Sequence, residues 1–380
     1  MIVCQALFLI ILHKNKLTNL WKDDFLNGTI THFYGRALTG QGMKNVYKEL
    51  MNEAKQVYLL KGGHGFKISK LLTEIGIHYH NKNANIEYFH DPLFENTIEA
   101  LFVKEPHHLL FLYAVDPSFE NTKVNGDIQE ISLDDCLDSE KMTRNRQQFQ
   151  KFTEERQKWH DQCFQALANA LTIHDDWEVE TRRYMEWDGL NKKIEQLFND
   201  VFQDKKLNKE ASETHRLLGT LTPAGARDTV QSITQSIEKR YFIKGYPGTG
   251  KSSMMKSLAK EALNRGFDVQ KVWCGLDSNS IDMVIIPELN FCIFDSTEPH
   301  VYFPDTSRNG DEIFDIAQFC HPTEVEEENI KRIVSKYRAT MQDAVTYANL
   351  YAEAEKGIRE IIDDAIDADR FKTKLNLLID

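Results

Sequence analysis

The chain has 380 residues, 41% of them hydrophobic and 27% charged, with a formal net charge of −12. This is the composition of a folded globular protein with room for two domains, and it excludes a disordered or fibrous chain. The acidic balance argues against a partner gripped through its phosphate backbone, so nucleic acid is not expected.

Six cysteines (Cys4, Cys136, Cys163, Cys274, Cys292 and Cys320) contain no C-x-x-C pair. Free thiols in a reducing, cytoplasmic setting are expected, with no zinc site. The chain begins with an apolar run, Ile2 to Leu12, broken only by Gln5. It is too short to span a bilayer as a helix and lacks a basic leader and a cleavage site, so residues 1–29 are read as an extension without a membrane span.

Residues 30–138 read as a first α/β unit. Within it, Lys61-Gly62-Gly63-His64-Gly65-Phe66-Lys67-Ile68-Ser69 follows an apolar strand, and Leu109 to Tyr113 is a further apolar run. Residues 139–210 are a helical segment, with stretches at Arg144–Ala170 and Glu178–Phe202. Their alternating charges suggest solvated packing helices rather than ligand sites.

Residues 211–322 read as a second α/β unit. Its Gly245-Tyr246-Pro247-Gly248-Thr249-Gly250-Lys251-Ser252 matches the phosphate-binding pattern G-x-x-x-x-G-K-[ST] in full. The glycines let successive N–H groups turn inward toward phosphate oxygens. Lys251 brings a cation to the β- and γ-phosphates, and Ser252 brings a hydroxyl to Mg²⁺. Ser253 extends the cradle. Tyr241-Phe242-Ile243 before the loop is a short strand. Ser252 to Arg265 after it carries Met254, Met255, Leu258, Ala259, Ala262 and Leu263 at helical spacing, with Gly266 as the stop. A strand follows at Asp268–Cys274, then a polar loop from Asp277 to Asp282 that is a candidate for the substrate side. The run Phe291-Cys292-Ile293-Phe294 ends in Asp295, placed to hold Mg²⁺ with Ser252. Glu298 is the nearest candidate base, with Glu288 and His300 behind it. Arg216, Arg227, Arg240 and Arg308 are candidate transition-state cations. Residues 323–380 are a helical tail, periodic from Val325 to Asp367.

The two units echo each other at a spacing of 183. His32, Leu38, Thr39, Gly42, Tyr58, Lys61, Gly62, Gly65 and Ser69 recur as His215, Leu221, Thr222, Gly225, Tyr241, Lys244, Gly245, Gly248 and Ser252. Chance would give roughly two identities over that stretch. Asn125-Gly126-Asp127 recurs as Asn309-Gly310-Asp311 after a one-residue slip. The first copy has Ile68 where the second has Lys251, and Lys67 where the second has Gly250. The first loop therefore reads as degenerate.

The run Tyr241 to Ser252, with Asp282-Met283-Val284-Ile285-Ile286-Pro287-Glu288-Leu289 and Ile293-Phe294-Asp295-Ser296-Thr297-Glu298-Pro299-His300, resembles a family of bacterial ATP-binding proteins with tandem P-loop halves and no settled function. The resemblance covers about residues 30 to 380. It implies a P-loop NTPase fold, with two tandem α/β units of mainly parallel sheet each followed by a helical tail. In that family the first half usually keeps an intact loop, and residues 63–69 depart from it. The expected function is Mg²⁺-dependent ATP hydrolysis at the second loop, carried by Lys251, Asp295 and Glu298. The alternatives are a nucleotide-dependent switch with little turnover and a small-molecule kinase. ATP is expected rather than GTP because no Asn-Lys-x-Asp signature is present. Beyond the nucleotide, the substrate or protein partner is left open.

Overall fold

The computed structural model describes residues 28–62, 65–113 and 127–379. The apolar run Ile2–Leu12, the loop positions Gly63 and His64 and the pair Asn125-Gly126 lie outside the described residues.

The first set of elements is β1 (Ile30–Tyr34), β2 (Arg36–Thr39), β3 (Gly42–Asn45), α1 (Tyr47–Glu53), β4 (Gln56–Lys61), α2 (Lys67–His80), β5 (Ile86–His90), β6 (Ile98–Val103), β7 (Leu109–Tyr113) and β8 (Asp127–Ser132). Three helices follow: α3 (Ser139–Arg144), α4 (Arg146–Arg182) and α5 (Trp187–Phe202). The second set is β9 (Glu213–Leu217), β10 (Gly219–Thr222), β11 (Gly225–Asp228), α6 (Val230–Thr234), β12 (Lys239–Lys244), α7 (Lys251–Asn264), β13 (Val269–Trp273), β14 (Ile281–Ile286), β15 (Phe291–Asp295) and β16 (Asp311–Asp315). Helices α8 (Glu324–Ala365) and α9 (Ala368–Ile379) close the chain.

The architecture is mixed α/β around one large central sheet. Its twelve strands run β16-β12-β15-β14-β13-β9-β1-β5-β6-β7-β4-β8, and β2-β3 and β10-β11 form separate hairpins. Six of its eleven ladders are parallel and five antiparallel. Two separate, mainly parallel sheets were expected. The difference comes from connections. Strands β5, β6 and β7 follow one another through short loops, as do β13, β14 and β15, and a short loop can only reverse direction. The strands joined through α2 and α7 have room for a crossover.

Outward from the centre, both sets use one strand order. Each also carries a register shift at a matching point, between Phe89 and His90 and between Val272 and Trp273. The sets meet where Tyr34 pairs with Leu217 in an antiparallel bridge, again 183 residues apart. Apolar side chains continue through this seam, since Phe33, Tyr34, Leu217, Leu218 and Phe242 share one buried cluster. Arg216 lies in it fully buried, 2.7 Å from Glu53 on α1 and 2.7 Å from Glu87 on β5.

The two long helices pack on one another. Cys163, Ala166 and Leu167 of α4 share a buried cluster with Ala344, Ala348 and Ala352 of α8, and Leu38 and Leu221 from the hairpins complete it. Each buried leucine there contributes about 2 kcal/mol. Surface pairs such as Lys151–Glu155 contribute a few tenths, so apolar faces hold the helices together. A capping box between Thr323 and Glu326 starts α8. The break between the two helical stretches expected before residue 210 falls at residues 183–186, and α4 runs unbroken to Arg182. Among the described residues no helix is long and apolar enough to cross a membrane, and the five described cysteines are unpaired.

Candidate functional site

The glycine loop joins β12 to α7. Gly248 and Gly250 take left-handed backbone angles, φ +84° and +89°, and α7 begins at Lys251. A Cβ on Gly248 would lie 2.3 Å from the backbone oxygen of Glu178 on α4, so both conformation and close approach require glycine there. The buried Thr249 braces the turn by donating its hydroxyl to the Tyr246 carbonyl at 2.7 Å, while Tyr246 itself is half exposed. No side chain caps α7. Its first N–H groups and its dipole therefore make a seat for an anion.

Lys251 folds back over the loop. Its ammonium lies 3.0 Å from Asp295 Oδ2 and donates to the Gly245 carbonyl. Asp295 ends β15, which lies beside β12 in register with Ile243. Its other oxygen accepts from the Thr297 N–H at 2.9 Å, and Thr297 in turn bridges to Gly245. Behind them Lys244 donates to the Ser296 and Tyr302 carbonyls at 2.7 and 2.6 Å and fixes the turn after β15. Ser252 accepts from the Ile281 N–H at 3.0 Å, which leaves its own hydroxyl proton and a lone pair to spare. Ser252 and Asp295 thus present oxygens beside an anion seat, and with Lys251 drawn away they would suit a hard cation carrying a phosphate.

These groups open onto a cavity of about 330 Å³. Its floor is Pro247, Gly248, Gly250–Ser253 and Asp295, and its side is the loop from Asp277 to Asp282, the substrate-side candidate of the sequence. That loop is held from the first half of the chain. Gln41 bonds Asp277 and the Ser278 N–H, at 2.7 and 3.0 Å, and Lys44 donates to the Ser278 carbonyl. The roof is made by His174, Trp177, Glu178 and Arg182 of α4 with Tyr337 and Met341 of α8.

At the inner end Asp282, His300 and Asp228 form a buried row. His300 Nδ1 is 2.8 Å from Asp228, its Nε2 is 3.7 Å from Asp282, and Tyr302 also donates to Asp228 at 2.7 Å. Burial pushes the Asp282 carboxyl up to about 6, helped by the Asp295 charge and opposed by His300 and Lys251. Burial works against a charged His300, but its bond to Asp228 and the charges of Asp282, Asp228 and Asp295 outweigh it and raise its pKa.

The first half differs at each of these points. Ile68, where the second half has Lys251, is buried in the core with Leu60 and Leu71. Tyr113 stands opposite Leu60 as Asp295 stands opposite Ile243. The carboxylate of Asp363, from α8, accepts from the N–H groups of Phe66 and Lys67 at 2.9 and 3.3 Å, so the anion seat of α2 is filled by the chain itself.

The candidates named from sequence fall in four places. Lys251, Ser252, Ser253 and Asp295 lie together in the cavity. Glu298 is at the rim, mostly exposed and 2.6 Å from Arg338 of α8. Of the four arginines, Arg227 lines the cavity. Arg216 is locked in the seam, and Arg240 and Arg308 are tied to Asp311. Sequence reasoning passed over Asp282 as a chemical group and missed the roof residues. The aromatic pair Trp177 and Tyr337, set in otherwise charged helices, was the available signal. No family model, curated protein or solved structure matches the chain.

Proposed function

We propose that this chain is a P-loop protein, internally duplicated, that binds Mg·ATP at one working site in its second half and cleaves the γ-phosphate there. The observation that carries the reading is the loop itself. Two left-handed glycines lead into an uncapped helix N-terminus, with Lys251 held against Asp295 at its centre. Loop and helix N–H groups would cradle the phosphates, and Lys251 would leave Asp295 for the β- and γ-oxygens. Mg²⁺ held by Ser252 and Asp295 would neutralise charge on those oxygens. The shared strand order, the matching register shifts and the recurring residues support duplication, as does the resemblance to tandem P-loop proteins.

One site per chain is favoured because the first loop has a buried isoleucine for its lysine and a carboxylate of its own in the anion seat. Titration calorimetry should give one Mg·ATP per chain, weaker Mg·GTP binding and ADP release on incubation. Two nucleotides per chain, or none, would refute the reading. A switch with little turnover is the second reading, favoured by the lack of a glutamate directly after Asp295. Tight binding without ADP release would select it.

A further inference from the structure

Beyond the phosphate seat, the same cavity presents polar groups that phosphate binding does not use. Residues Asp282, Trp177 and His174 all line it, and Asp282 Oδ2, Trp177 Nε1 and His174 Nδ1 are buried without a hydrogen bond, the first 3.7 Å from His300 Nε2 and the last 4.0 Å from Glu178. Leaving one such group unsatisfied costs about 1–3 kcal/mol. Three of them around one cavity mark a wall built for a ligand. They come from separate elements, Asp282 from the start of β14 and the other two from one face of α4. The Asp282 side chain is only 9% exposed.

The first half shows what a closed version looks like. Arg36, Asp91 and Glu99 stand 183 residues before Gly219, Cys274 and Asp282, which line the cavity. Arg36 binds Glu99 at 2.8 Å, Tyr47 also donates to Glu99, and Arg359 binds Asp91 at 2.7 Å. That carboxylate is fully engaged. In the second half Gly219 offers no side chain, and Asp282 Oδ2 has only His300 Nε2 at 3.7 Å, beyond hydrogen-bond reach, where Glu99 has a guanidinium.

Leu38, Leu167, Leu221 and Met341 give the cavity an apolar side. Its volume, shared with the phosphates and roofed by two helices, admits a small molecule and not the surface of a folded protein. We propose that the cavity is an acceptor site for a small hydroxyl-bearing molecule and that Asp282 is its general base. The proposal rests on the nucleotide reading above. The acceptor hydroxyl passes its proton to Asp282 Oδ2 as its oxygen bonds the γ-phosphorus. The bond from that phosphorus to the β,γ-bridging oxygen breaks, and the nucleoside diphosphate leaves with the electron pair. Products are a phosphate monoester and the diphosphate, and the proton leaves Asp282 for water. The Trp177 N–H donates to an acceptor atom of the bound molecule and orients it.

The test uses the full chain with γ-phosphate-labelled ATP and, separately, adenosine, uridine, inositol and glycerol, with ATP affinity measured on the same samples. Label is expected in at least one of these alcohols. Asp282→Asn should lower that transfer about 100-fold or more while ATP affinity changes by less than about threefold. Trp177→Phe should raise the acceptor KM and spare ATP affinity, and it keeps the test decisive if Asp282→Asn does not fold. Label released solely as inorganic phosphate with every alcohol overturns the proposal, as does unchanged transfer by Asp282→Asn. Either result leaves ATP binding, and so the nucleotide reading, intact. Failure of the wild type to bind ATP overturns both.

Discussion

Replacing Lys251 with alanine tests the centre of the site. The Lys251 and Asp295 side chains are 12% and 16% exposed and 3.0 Å apart. At an effective dielectric near 20, their attraction is about 5 kcal/mol. A triphosphate must offer the lysine at least as much, so the net contribution to binding is a difference between two strong interactions. For a desolvated charge losing its partner, that difference is about 2–4 kcal/mol, or roughly 30- to 1,000-fold in Kd. Calorimetry with Mg·ATP at fixed salt should therefore show Lys251→Ala weaker by at least about thirtyfold. Without nucleotide, its melting temperature should fall by no more than about 3 °C, since one partly exposed pair is lost from a large core. Affinity within about threefold of wild type, in a protein that melts normally, would refute the assignment of the loop as a phosphate cradle.

Asp363→Ala should destabilise the chain by about 1 kcal/mol, read by urea denaturation, because the α2 N–H groups lose their acceptor. ATP affinity should not change, since Asp363 is no part of the second cavity. Arg216→Met should cost about 3–5 kcal/mol in the same assay, because it leaves Glu53 unpaired in the seam and Glu87 with Lys104 alone. Asp282 faces His300, Lys251, Asp295 and Cys274, and its pKa is raised to about 6. A carboxyl whose folded pKa lies above its unfolded value favours the protonated fold, so this contribution is present at low pH and lost as pH rises from about 4 to 6. Asp282→Asn should remove that loss and gain up to about 3 kcal/mol on wild type at pH 7 relative to pH 4. Finally, Arg182→Ala should slow ADP release at least tenfold with ATP affinity little changed, if the Arg182 guanidinium in the roof meets the transferring phosphoryl group.

What could be read from sequence was local. Gly245 to Ser252, the strand before them and the helix after them lie within one stretch of chain, so spacing alone conveys their geometry. Asp295 was legible as a strand end, because the apolar run from Phe291 closes on it, although such runs are common. Strand direction was not. The run Asp282–Leu289 looks like any buried strand, and its antiparallel course follows from short connections rather than composition. The roof was hidden for another reason. His174, Trp177 and Arg182 precede the second unit in sequence, on a helix whose charges resemble a solvated face. They reach the loop only because β1 and β9 join the halves back to back. Arg216 shows the converse, since in sequence it stood with Arg227, Arg240 and Arg308 as a candidate transition-state cation. Its partners, Glu53 and Glu87, lie far upstream and become visible only once the seam forms.

That seam also explains why one loop is closed by the chain itself and the other is not. Each glycine loop faces the end of the long helix that follows the other half. The Glu186 N–H bonds the Phe319 carbonyl, and the Asp367 N–H bonds the Cys136 carbonyl, so the end of α4 aligns with the end of α8. In this alignment Arg182 takes the place of Asp363. A carboxylate over the first loop accepts from the Phe66 and Lys67 N–H groups, Ile68 replaces the lysine, and the Lys67 ammonium is turned to the Asp363 carbonyl. Over the second loop the corresponding side chain is a guanidinium, 55% exposed and paired with Glu178. Cationic groups above and within one loop, and an internal anion in the other, are opposite electrostatic solutions to the same exposed helix N-terminus. The first solution is complete without a ligand. The second calls for an anion, which is why the nucleotide is proposed for the half that carries Lys251.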